Sequence, residues 1–202
     1  MAEPWLRLDG VTCRSGEREL WPAGLSADID PGITWVGGDE GTGKTTLLRL
    51  LAGRLAPSQG RLIAPRSTPP RVAWVDPAQP FDDRLTAREA LAQGLQPFGG
   101  GEPGVLAELV QTLDLQAHLD KALYMLSTGS RRKVGIAITL ASGADVLLFD
   151  QPFMALDRPS EKAIMAGWPA VVAAGRSVVV ADYLPPTGIK PSAQIDLDRW
   201  AM

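Results

Sequence analysis

Apolar and polar positions change period several times along the chain, and each change marks an element. Residues 5–8 and 11–13 alternate loosely. ITWV (33–36) instead runs apolar straight into glycines, the way a buried strand delivers the chain to a turn. In TTLLRLLAG (45–53) the period becomes helical, with leucines at 47, 48, 50 and 51 on one broad face and Gly53 suited to a C-terminal cap. VAWV (72–75) reads as a second core strand. Between Leu85 and about Leu126 the texture is helical: TAREALAQGL and PGVLAELVQTLDL are separated by glycines at 99–101, and Pro103 suits a first turn. DVLLFD (145–150) and SVVVAD (177–182) return as buried strands of the parallel type. They flank a helical stretch near 159–174, which Pro169 is expected to kink or end. The Pro-rich stretches APRSTPPR (64–71) and YLPPTGIKPS (183–192) are connectors. This alternation predicts one α/β domain, its core at about 1–84 and 127–202 and a helical lobe at about 85–126.

Composition narrows the setting. A chain of 202 residues suffices for one buried core and is short for two ordinary domains. With 45% hydrophobic and 21% charged residues, it is expected to fold as a soluble globule. A net charge of -3 gives no general attraction for nucleic acid, so no nucleic-acid partner is expected. The sole cysteine, Cys13, excludes an internal disulfide, and MAEPWLRL lacks an apolar stretch of signal-peptide length. No segment approaches the roughly 20 apolar residues of a membrane-spanning helix. The expected location is cytoplasmic, with any membrane attachment made through another subunit.

The glycines after ITWV carry chemistry. GDEGTGKTT (38–46) matches G-x-x-x-x-G-K-[ST] at Gly38, Gly43, Lys44 and Thr45, between a strand and a helix. Gly38, Gly41 and Gly43 let backbone N–H groups turn toward phosphate oxygens, and Lys44 reaches the terminal phosphates. Thr45 would give its hydroxyl to magnesium, with Thr46 beside it in the cradle. Asp39 and Glu40 must face solvent or else weaken the site. Asp150, ending its strand about a hundred residues later, stands where such proteins hold Mg2+; the competing reading is an aspartate capping the next turn.

Taken with LSTGSRRKV (126–134) just upstream of ADVLLFDQPFMALD, these motifs resemble the nucleotide-binding subunits of ATP-binding-cassette (ABC) transporters over nearly the whole chain. The resemblance implies a P-loop NTPase with a RecA-like core and a helical subdomain, using ATP and Mg2+. It implies a head-to-tail dimer, with itself or with another ABC subunit, in which Ser127 and Gly129 cap the γ-phosphate of the opposite subunit's ATP. Thr128 replaces the usual first glycine of that signature, and Asp157, in ALD, falls in the segment that crosses the interface. A transmembrane subunit would be the further partner, placing this chain on the inner face of the membrane. Within the family, the length and the stretch VTCRSGERELW (11–21) are similar to the short ATPase subunit of the haem exporter of cytochrome c maturation. The RRK run (131–133) reads as a solvated helix face and His118 as a surface residue.

Two departures fall on hydrolysis. The family's glutamate after Asp150 is Gln151 here, and an amide orients water without taking its proton. The histidine expected after the later strand aligns with Asp182. The adenine-stacking aromatic is missing, and its place falls near Arg14 or Ser15, where the Arg14 guanidinium could stack instead. The glutamine that senses the membrane subunit aligns with Pro77 or Ala78, with Gln79 slightly late. Three readings follow: a binding site paired with a catalytic partner subunit, a slow homodimer in which Asp182 supplies the carboxylate, or a non-transport ATP-dependent regulatory clamp.

Overall fold

A computed structural model describes residues 3–77 and 81–200. They fall into two compact units: Met1–Trp74 with Asp145–Gln151 and Ala170–Met202, and Val75–Ala144 with Pro152–Pro169. The helical lobe expected at 85–126 lies inside the second unit, which also takes in later segments.

The first unit holds strands β1 (Leu6–Ser15), β2 (Arg18–Ile29), β3 (Gly32–Gly37), β4 (Gln59–Ile63), β5 (Val72–Ala73), β6 (Val146–Asp150), β7 (Ser177–Ala181) and β8 (Ala193–Asp196), with helix α1 (Lys44–Leu51). A five-stranded parallel sheet runs β5-β6-β7-β3-β8, and β1 pairs antiparallel with β2 and β4 in a second sheet. The apolar runs at 146–149 and 178–180 are buried, as parallel strands covered on both faces require. Leu47, Leu48, Leu50 and Leu51 of α1 are all buried with Val36, Leu148 and Val179, so the leucine face is a core face. Gly53 takes φ 67° beyond the helix and donates its N–H to the Leu50 carbonyl, the left-handed stop expected there.

VAWV is shorter as a strand than its pattern predicts, since β5 ends at Ala73. The Trp74 carbonyl accepts from Arg54 Nη2 at 3.1 Å, so a side chain takes the group that a longer ladder would have used. β2 and β4 escaped the pattern altogether. β4, QGRLI, is half polar, and the pairing of β1 with β2 shifts register between Leu8 and Val11 and again before Cys13. Such irregularities erase a period of two.

The second unit contains α2 (Ala87–Leu95), α3 (Pro103–Thr112), α4 (Thr128–Ala141) and the first part of α5 (Arg158–Ala173). Thr86 and Glu89 form a reciprocal capping box at the start of α2, and Pro103 opens α3. From Val134 to Ala141, α4 is buried on every side. Pro169 does not end its helix: α5 continues through it to Ala173. Proline lacks one backbone donor, yet Ile164 and Trp168, each 0% exposed, hold the preceding turns in place.

Candidate nucleotide-binding site

Parallel register builds the site. Val36 pairs with Ala181, and Ala181 with Asp150, so β3, β7 and β6 end level with one another. The next residues are stitched across the same row: Gln151 N–H donates to the Ala181 carbonyl (2.8 Å) and Asp182 N–H to the Val36 carbonyl (3.1 Å). The phosphate-type loop, Asp150, Gln151 and Asp182 therefore share one sheet end.

The loop is shaped by contacts that forbid side chains. A Cβ on Gly38, at φ 141°, would come within 2.6 Å of Thr42 Oγ1. One on Gly43, at φ 100°, would meet Leu20 Cδ1 and Trp21 Cζ2 at 2.9 Å. Trp21 Nε1 donates to the Thr42 carbonyl and Thr42 Oγ1 to the Asp39 carbonyl, fixing the curve from below and from within. Gly43 caps α1 without a side-chain hydrogen bond, so no side chain caps that helix end. Gly41 and the carboxylates of Asp39 and Glu40 lie on exposed residues. Asp39 N–H donates to Asp198 Oδ1 at 3.0 Å.

Lys44 is 6% exposed, its Nζ donating to the carbonyls of Gly38 (2.5 Å) and Asp39 (2.8 Å). Burial pushes its pKa down, while the carboxylates of Asp198, Asp150, Asp182 and Asp39 oppose that. Thr45 Oγ1 donates to Asp150 Oδ2 at 2.7 Å. A hydroxyl beside a carboxylate is a hard-oxygen pair of the kind magnesium takes when phosphates and water complete its shell, so these residues fit that ion. Thr46, half-buried, follows on α1. Among the described residues no group of three or more His, Cys, Asp or Glu forms another metal site.

Gln151 has φ 45°, a left-handed conformation that few non-glycine residues adopt. Asp182 Oδ1 accepts from Tyr183 N–H at 2.8 Å. Tyr183, which sequence reasoning passed over, lies with its ring centroid 4.2 Å from Lys44 Nζ. Arg18 was also missed: Nη1 donates to the Gly41 carbonyl at 3.4 Å, over the loop. Arg14 is exposed opposite Glu19, whereas Arg18 pairs with Ser15. Alternation puts neighbouring rows on opposite faces, so the register of the β1–β2 hairpin would have pointed to Arg18.

Ser127 and Gly129 lie in the second unit. Ser127 caps α4 by accepting from Ser130 N–H (3.1 Å), and Gly129 packs where a Cβ would strike the Ala155 carbonyl. Asp157 is held by Lys133 Nζ (2.9 Å) and by Ser160 N–H (2.8 Å), which keep its carboxyl well below the ordinary range. The RRK run is thus not a simple solvated face: Lys133 binds Asp157, and Arg131 bonds Asp83 and the Tyr124 carbonyl. His118 is half-buried in a short 3-10 turn against Lys121. Pro77 is exposed, and Ala78 and Gln79 lie outside the described residues.

Comparison with known proteins identifies the family and the fold. Residues 23–154 match the family described as ABC transporter. The chain is 32% identical over 179 residues to the cytochrome c biogenesis ATP-binding export protein CcmA of Sphingopyxis alaskensis, covering 88% of this chain and 89% of that protein. With the CcmA of Novosphingobium aromaticivorans, identity is 32% over 186 residues and 92% of each chain. The solved structure of a putative ABC transporter ATP-binding protein from Pyrococcus furiosus superposes with a TM-score of 0.79 over 98% of this chain and 99% of that one; at 18% identity it speaks for the fold. Since the family match runs from β2 past Asp150, and the CcmA relatives align along nearly the whole chain, the protein belongs to the ABC transporter family as an ATP-binding subunit.

Proposed function

We propose that the chain binds Mg-ATP between two ABC subunits and drives a transmembrane partner, with hydrolysis at its own site impaired. The observation that carries this reading is the Thr45–Asp150 hydrogen bond beside a buried Lys44, which juxtaposes a magnesium-type oxygen pair and a phosphate-type cation. Lys44 and the backbone of Gly38, Gly41 and Gly43 would bind the phosphate chain, and Thr45 and Asp150 the metal. Held by Thr45 and Asp150, the ion would supply charge neutralisation to the bound phosphates. Thr46 would join the phosphate contacts. Ser127 and Gly129 of the second subunit would close the site, and exposure of Ser127 at the start of α4 supports this. Arg14, on the exposed hairpin, is the base-stacking candidate.

Gln151 follows Asp150 where a general base would stand, and its amide holds water without accepting a proton. Asp182, one strand over in the same row, is the remaining carboxylate candidate. The second subunit is either another copy or an ABC subunit carrying the missing glutamate. The names of the relatives direct the transport role toward export in cytochrome c biogenesis. No described helix is long and apolar enough to cross a membrane, so a peripheral position on its inner face would depend on the partner.

Equilibrium binding of Mg-ATP tests the nucleotide reading. Replacing Lys44 by alanine removes a charge-assisted contact and is expected to weaken binding by about tenfold or more. Equal affinity in the two proteins would contradict it.

A further inference from the structure

We propose that Tyr183 is a removable cap on Lys44: its ring covers the side of the ammonium that nucleotide phosphate needs, and it must leave when nucleotide binds. The proposal rests on the reading of Lys44 as the phosphate-binding lysine. An ammonium has three N–H donors. Two go to the carbonyls of Gly38 and Asp39, and the ring centroid of Tyr183 lies 4.2 Å from Nζ, inside the range of a cation–π contact. Together with the surrounding loop, these partners leave Lys44 6% exposed.

Tyr183 itself is 48% exposed and Leu184 beside it 77%, so this end of the ring's segment is not locked into a core. Its backbone N–H donates to Asp182 Oδ1 at the end of β7, a bond that does not involve the ring. A phosphate oxygen is the stronger partner for an ammonium than a ring face, since it carries full charge and accepts the N–H directly. ATP therefore displaces the ring, but its net affinity is reduced by the contact that is given up.

The test measures Mg-ATP affinity for wild type, Tyr183→Ala, Tyr183→Leu and Lys44→Ala, on the intact chain. A cation–π contact at a partly exposed site corresponds to about a threefold to tenfold change in affinity, so Tyr183→Ala and Tyr183→Leu are both expected to bind tighter by that factor. General damage to the fold would weaken binding, which separates the cap from a structural role. If Tyr183→Ala binds equally or more weakly than wild type, while Lys44→Ala loses binding, the cap is wrong and the nucleotide reading stands. If Tyr183→Leu behaves like wild type, bulk rather than the ring face is responsible and the cap is wrong as stated. If Lys44→Ala binds Mg-ATP as tightly as wild type, the nucleotide reading falls and the cap with it.

Discussion

Gln151 lies at the end of a strand, with a left-handed φ of 45° and its N–H bound to Ala181. Its position, one residue past Asp150, was visible in DQPFMALD, because an apolar run ending in aspartate reports where the sheet stops. What the sequence did not reveal was the row it shares with Asp182, which depends on register between strands far apart in the chain. Asp157 makes a testable point at the same scale. Lys133 and Ser160 bind its ionised form, so its folded pKa lies below the ordinary value near 3.8. A group depressed in this way contributes stability above its unfolded pKa and loses that contribution as pH falls through the folded one. Asp157→Asn is thus expected to lower the melting temperature at pH 7, with the difference from wild type closing as pH drops below about 4. A difference that does not change with pH would show that the ion pair is not its origin.

At the scale of elements, helices with a strong period and strands buried on both faces were legible. VLLF and VVV admit few other readings when glycine and charge bound them, and the leucines of α1 mark their own core face. The antiparallel sheet was not legible, because β4 is half polar and β1 changes register twice along its length. Arg18 was lost with it, since only the hairpin pairing places that residue over the loop. Of the two outcomes expected at Pro169, a kink or an end, the end does not occur: α5 runs on to Ala173, with Ile164 and Trp168 buried before the proline. Thr86 offers a clean test of local logic. Its capping box with Glu89 is exposed and well formed, so Thr86→Ala is expected to destabilise the protein by about 1 kcal/mol in denaturant unfolding. No change would mean that α2 is fixed by its packing rather than by its cap.

For the molecule as a whole, family membership and the ATP-binding subunit role follow from matches that span most of the chain. The closing of two subunits around nucleotide, the membrane partner and the idle base are the proposal built on that membership. Of the proposed binding residues, Gly38, Lys44, Thr45 and Asp150 belong to the first unit, and Ser127 and Gly129 to the second. The central claim is that this site holds ATP but turns it over poorly because an amide stands where a carboxylate belongs. Steady-state ATPase activity of the purified protein, wild type beside Gln151→Glu and Lys44→Ala, tests it most directly. The account predicts wild-type turnover close to that of Lys44→Ala, and a gain of about a hundredfold or more in Gln151→Glu, the range a positioned general base supplies. Wild-type turnover well above Lys44→Ala, with nothing added by Gln151→Glu, would contradict it and make Asp182 the residue to replace next.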